Sequence, residues 1–218
     1  MYTPPAFRED DPAAIAAAIR AAAIGQFVTA TADGPLATPL PFLFDPDEGA
    51  HGTLYAHLAR ANPQWRAVPI GPALVIFMGA DAYVSPGLYA QKAIDGRVVP
   101  TWNYLTVQAS GVPEFFEDAG RLRDVVARLT DRHEAARAAP WSVDDAPAEY
   151  LAGQLKGIVG LRLPVARIAA KRKMSQNRPA EDRARVKASF ADGMAWRRSS
   201  RRDNARSAPH RWHGPSGR

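Results

Sequence analysis

Residues 27–44, FVTATADGPLATPLPFLF, decide the reading of the fold. Phe27–Thr31 has the two-residue alternation of a half-buried strand. Asp33-Gly34 is a tight-turn pair, because glycine supplies the positive φ that short hairpin loops need. Leu36–Phe44 returns as the second strand. Pro39 and Pro41 sit within it, and proline cannot donate to a sheet ladder. This strand therefore lies at an edge or leaves backbone groups free.

Upstream of the hairpin, Asp10 or Asp11 caps a helix whose first turn holds Pro12. Ile15 and Ile19 share one face of it, and Gly25 is expected to stop it. Downstream, residues 45–49 form a turn, Thr53–Leu58 a strand, and Asn62–Ala67 a short helix with Asn62 as cap and Pro63 first. Ala73–Gly79 reads as a buried strand and Tyr83–Tyr89 as a strand that turns at Ser85-Pro86-Gly87. Val98–Phe116 holds one strand or two, interrupted near Gly111. Asp118–Ala138 is helical, with Leu122, Val125, Val126 and Leu129 on one face. Pro147–Leu155 reads as a second helix, Ile158–Ile168 as strands around Pro164, and Ala180–Phe190 as a last helix. The pattern is mainly β with peripheral helices, an α+β chain built on a β-barrel.

Composition narrows the function. The chain has 218 residues and no cysteine, which excludes disulfides, thiolate metal sites and cysteine nucleophiles. The longest strongly apolar run, Ala73–Ala80, is far short of the roughly 20 residues of a membrane span. MYTPPAFREDD at the start lacks the basic-then-apolar pattern of a secretory signal. A cytoplasmic protein without a membrane partner is expected. The formal charge is +6, but residues 191–218 hold seven Arg against two Asp. Residues 1–190 are nearly neutral, with 21 Lys+Arg against 20 Asp+Glu. The body thus lacks the broad basic field of a nucleic-acid binder. The expected division is a barrel domain over 1–190 and a disordered basic tail over 191–218. That tail reads either as a nucleic-acid arm or as an extension without function.

No phosphate-loop or G-x-G-x-x-G signature occurs, and His133-Glu134 leads to Arg137 where a zinc-binding helix needs His. No nucleophile elbow or helix-turn-helix is evident. Three constellations remain. His57, Arg60 and Asn62 cluster where a strand passes into a helix start, a setting for a phosphate dianion or for a plain cap beside a surface arginine. Thr101 and Asn103 alternate with Trp102 and Tyr104, giving one hydrogen-bonding face and one flat apolar face; an ordinary half-buried strand shows the same pattern. Lys171–Pro179 (KRKMSQNRP) offers cations and polar side chains for an anion or a pyrimidine edge, or forms a solvated loop that caps the last helix.

MYTPPAF (1–7), HLARANPQW (57–65), YVSPGLYAQKA (83–93), GRVVPTWNY (96–104), LTDRHEA (129–135), PWSVDDAP (140–147), GIVGLRL (157–163) and KRKMSQNRP (171–179) carry a resemblance. In this order they resemble the PaiB-type FMN-binding negative transcriptional regulators, which are related to pyridoxamine phosphate oxidase. The resemblance implies an FMN-binding split β-barrel that forms a homodimer with FMN in the clefts between subunits. It implies that His57 and Arg60 approach the FMN phosphate and that Asn62 helps through its cap. Thr38, Pro39 and Leu40 would meet the polar edge of the ring with backbone groups. Trp102 and Asn103 would enter the cleft from the other subunit, and Lys173, Ser175 and Gln176 belong to the late motif. Pro39 stands where the family often has His, which implies lowered flavin affinity or reactivity if that His contacts the flavin. Similar proteins are described as repressing transcription, so DNA is an implied partner, directly or indirectly. The rival functions are an FMN-dependent oxidoreductase, either a flavin reductase or similar to pyridoxamine phosphate oxidase, and a flavin or heme carrier.

Overall fold

The computed structural model of the chain describes residues 1–191. The expected disordered tail lies outside them, apart from Ala191 at the end of the last helix. A two-residue strand β1 (Arg8–Glu9) precedes helix α1 (Pro12–Ala21), which Asp11 caps by accepting the Ala13 N–H. Gly25 does not stop this helix. The helix closes with the Ala22 N–H on Ala18 O, and Gly25 opens strand β2 (Gly25–Thr31). Glycine is required at 25 for space, since a Cβ there would lie 2.7 Å from the Phe77 ring.

β2 pairs with β3 (Gly34–Leu40), Thr31 opposite Gly34, so the loop is Ala32-Asp33, one residue earlier than expected, and Gly34 opens the return strand with φ 117°. The return strand is shorter than Leu36–Phe44. β3 ends at Leu40, the chain crosses at Pro41-Phe42, and β4 (Leu43–Asp45) joins another sheet. Pro41 has no N–H to extend the first ladder, so the break falls there. β5 (Thr53–Ala59) follows, then one 3-10 turn, Pro63–Trp65, in place of the expected helix. β6 (Ala73–Val84) runs past Gly79, with a register shift between Met78 and Asp81. A four-residue helix α2 (Gln91–Ile94) leads to β7 (Thr101–Gly111) and β8 (Glu114–Phe116), the expected pair broken beyond Gly111. Helices α3 (Ala119–Glu134) and α4 (Ala148–Leu155), strands β9 (Ile158–Pro164) and β10 (Arg167–Lys173), and helix α5 (Ala180–Ala191) complete the chain.

The strands form two antiparallel sheets, β1-β10-β7-β6-β2-β3 and β4-β5-β9-β8. β3 is an edge, as its prolines require. Phe27, Val75, Phe77 and Val107 of the large sheet pack on Leu54, Leu58, Leu161 and Leu163 of the small one, and α1 adds Ile15 and Ile19. This is the barrel core. On the other face of the small sheet, Leu122, Val125 and Leu129 of α3 and Leu155 of α4 pack over Leu43 and Phe116. The outer face of the large sheet is different. Val28, Leu74 and Ile76 are half-buried there and Met78 is 53% exposed.

Candidate functional site

The turn after β5 is held by a closed set of hydrogen bonds. Asn62 Oδ1 accepts the Gln64 N–H (2.9 Å), which caps the 3-10 turn. Asn62 Nδ2 donates to Thr38 Oγ1 (3.0 Å), and Thr38 Oγ1 donates to Gln64 Oε1 (2.6 Å). Gln64 Nε2 donates to Phe27 O (3.2 Å), Thr29 Oγ1 (3.1 Å) and Leu36 O (3.3 Å). One buried amide thus ties the turn to β2 and β3. Thr38 and Asn62, both candidates from sequence, are brought together. Gln64, which joins them, was not singled out. Its only signal is its place two residues beyond a capping Asn. Pro39 is exposed on the edge strand. Leu40 packs into the core, so only its backbone can face a ligand.

His57 and Arg60 are placed apart from this cluster. Leu54, Ala56 and Leu58 of β5 point into the barrel, so His57, on the alternate face, lies with Tyr55 on the α3 side. Its Nδ1 is buried without a hydrogen-bond partner, and burial lowers its pKa from the ordinary 6.5. His57 is therefore neutral near pH 7. Arg60 is engaged by protein groups: Nε donates to Lys156 O (2.6 Å), one terminal nitrogen donates to Ile158 O (3.2 Å), and the other meets Glu117.

The late motif meets β7 at the far end of the large sheet. Ser175 Oγ donates to Asn103 Oδ1 (3.0 Å), and both residues are buried. Ser175 has φ 64°, a left-handed conformation uncommon for a residue with a side chain. Lys173 Nζ donates to Thr101 Oγ1 and lies 5.8 Å from the Tyr104 ring centroid. Gln176 is turned back on its own loop, accepting from Met174 N and donating to Arg172 O. Trp102 is 52% exposed and meets Tyr83 edge-on at 5.8 Å. The four candidates Asn103, Lys173, Ser175 and Trp102 thus share one region, though Trp102 and Asn103 occupy opposite faces of β7.

A second network lies outside any expectation from sequence. Arg162 holds Glu48 (2.6 Å) and Glu114 (2.8 Å), and Tyr55 Oη donates to Glu48 (2.6 Å). The Tyr55 hydrogen bond is the main reason that the Glu48 carboxyl titrates below its ordinary range. The two acids raise the pKa of Arg162. This network fastens the 45–52 turn to β9 and β8. Among the described residues there is no group of three or more His, Asp or Glu able to hold a metal, and no helix long and apolar enough to cross a membrane.

Two antiparallel sheets closed around one core, with α3 and α4 over the outer face of the small sheet, form a split β-barrel. Solved structures agree at the level of fold. The flavocytochrome Anf3 from Azotobacter vinelandii has a TM-score of 0.57 at 16% identity, covering 82% of this chain and 75% of that one. The FAD and heme binding protein from Mycobacterium smegmatis has a TM-score of 0.57 at 17% identity, covering 81% and 78%. Residues 1–167 match the family described as "Putative FMN-binding domain", and the chain belongs to that family. The "Protease synthase and sporulation protein PAI 2" of Bacillus subtilis is 33% identical over 183 residues, 84% of this chain and 85% of that protein. The cofactor of this chain is FMN. The residues fit such a group. The half-buried apolar patch of Val28, Leu74 and Ile76 suits a flat ring, while Lys173 and the half-exposed Asn62 amide supply donors for its polar parts.

Proposed function

We propose that this protein is a homodimeric FMN-binding regulator of transcription, with the flavin in the cleft between subunits. The observation that carries the dimer is the outer face of the large sheet. Val28, Leu74 and Ile76 are half-buried at its centre, flanked in register by exposed Gln26, half-buried Gln108 and buried Thr106, with Lys171 and Arg167 of β10 at the margin of this uncharged patch. The separation of the two polar clusters supports the same arrangement. Following the register Thr38–Phe27–Val75–Ala109, Asn103 lies three strands across and six residues along β7. At ordinary sheet spacings that is about 14 Å and about 20 Å. A second copy would bring its Trp102–Asn103–Lys173–Ser175 end, with Gln176 behind it, to the Thr38–Asn62 end of the first.

In this reading Asn62 attends the phosphate, Arg60 joins it by exchanging Glu117 for the phosphate, and the Thr38–Leu40 edge offers backbone groups to the ring. His57 serves packing, since its ring lies on the α3 side and is neutral. The regulatory role is supported by the resemblance of the motifs to the PaiB-type regulators, alongside the 33% identity to the Bacillus subtilis protease synthase and sporulation protein. The near-neutral body favours action through a partner or a flavin-dependent change over tight direct DNA binding. The test is FMN titration of the purified chain followed by its visible spectrum, with the mass in solution measured alongside. A flavin spectrum retained by a dimer is expected. A monomer that leaves FMN fluorescence unchanged overturns the proposal.

A further inference from the structure

The amide circuit around Gln64 fixes which donor is left over. Gln64 Nε2 faces two carbonyls, Phe27 O and Leu36 O, which can only accept. Its Oε1 must therefore face Thr38, and the single Thr38 hydroxyl proton goes to it. Thr38 Oγ1 can then only accept, from Asn62 Nδ2. The backbone N–H of Gln64 sets the same orientation independently, because it needs Asn62 Oδ1. Asn62 is thus oriented twice over. Thr38 has no proton to give a ligand, whereas the second Nδ2 proton of half-exposed Asn62 has no protein acceptor.

We propose that Asn62 Nδ2 donates to an oxygen of the ribityl phosphate of bound FMN and that Gln64, acting through Thr38, is the residue that positions it. This rests on the FMN reading above. Gln64 touches no ligand in this arrangement; it sets the direction of every proton in the circuit.

The experiment is a fluorescence titration of the full chain with FMN. Asn62→Ser keeps a capping oxygen for the Gln64 N–H and adds no charge, but removes the outward N–H. Its FMN dissociation constant is expected to rise about tenfold, as loss of a charge-assisted hydrogen bond does. Thr38→Ser keeps the hydroxyl and is expected to bind as the wild type does, while Thr38→Val breaks the circuit and weakens FMN. The Asn62 side-chain amide resonance provides a readout that a merely structural circuit would not move: it is expected to shift when FMN is added. Asn62→Ser within twofold of wild type, or an unmoved amide resonance in a protein that binds FMN, overturns this inference alone. Absence of FMN binding by the wild type overturns the functional reading, and this with it.

Discussion

Thr38 and Gln64, 26 residues apart in the chain, meet through a 2.6 Å hydrogen bond in which the threonine hydroxyl donates. Gln64 is 3% exposed, so nothing in solvent can replace that proton. Thr38→Val has nearly the same shape but leaves Gln64 Oε1 buried without a partner. A stability loss of about 1–3 kcal/mol is expected, read from the urea midpoint. A loss below about 0.5 kcal/mol, the low end for a hydrogen bond, would mean that Oε1 finds another donor.

The hairpin between β2 and β3 is legible to within one residue because it is local. A glycine with φ 117° and two alternating strands need no distant partner. The edge position of β3 was legible from its prolines for the same reason. Gln64 was not, because its meaning comes from β2 and β3 carbonyls that only the folded chain brings near. Other contacts are equally non-local: neither the face of β5 that carries His57 nor the distant Glu117 that meets Arg60 can be read from the spacing of the motif. Trp102 and Tyr83 face each other across β6 and β7, a pairing that the register alone reveals.

Gly160 stands opposite His57 on one side and Phe116 on the other. A Cβ at 160 would lie 2.3 Å from the Phe116 ring, too close for any real contact. Gly160→Ala must push Phe116 out of the α3 layer. The expected cost is about 1–3 kcal/mol in thermal or urea unfolding, the range for overpacking. Phe116→Leu in the same chain should recover part of it. No recovery would place the strain elsewhere.

Glu117 competes for Arg60. The pair is partly exposed, 35% for the arginine side chain and 53% for the acid, so it adds little stability. Glu117→Gln leaves Arg60 uncompensated. FMN is then expected to bind about two- to fivefold more tightly at low salt, with riboflavin unaffected and the gain fading as salt screens the phosphate. Equal changes for both ligands would remove Arg60 from the phosphate site.

Ile76 lies in the apolar patch of the outer face, opposite Gln26 on β2 and Gln108 on β7. Ile76→Glu adds a charge that a buried interface cannot accommodate but that an open surface tolerates. Light scattering is expected to give half the wild-type mass, with the fold intact by circular dichroism and FMN binding lost. A variant that remains dimeric would move the interface to another face.

The His57 ring gives the protein a defined response to acid. Burial lowers its pKa from the ordinary 6.5, so the folded state holds the neutral form and the unfolded state binds the proton more readily. A depressed folded pKa means that the contribution is present above pH 6.5 and is lost as pH falls through the lower folded value. The Glu48 carboxyl, also held below its ordinary 4.5, adds a second loss at lower pH for the same reason of sign. Urea midpoints measured from pH 8 down to pH 5 should therefore fall in the wild type. His57→Phe keeps an aromatic ring on the α3 side and removes the titrating nitrogen whose Nδ1 has no partner. That variant should show a flatter profile between pH 7 and pH 5 while keeping the steeper decline below it. A wild-type slope retained in full by His57→Phe would assign the acid response to another group.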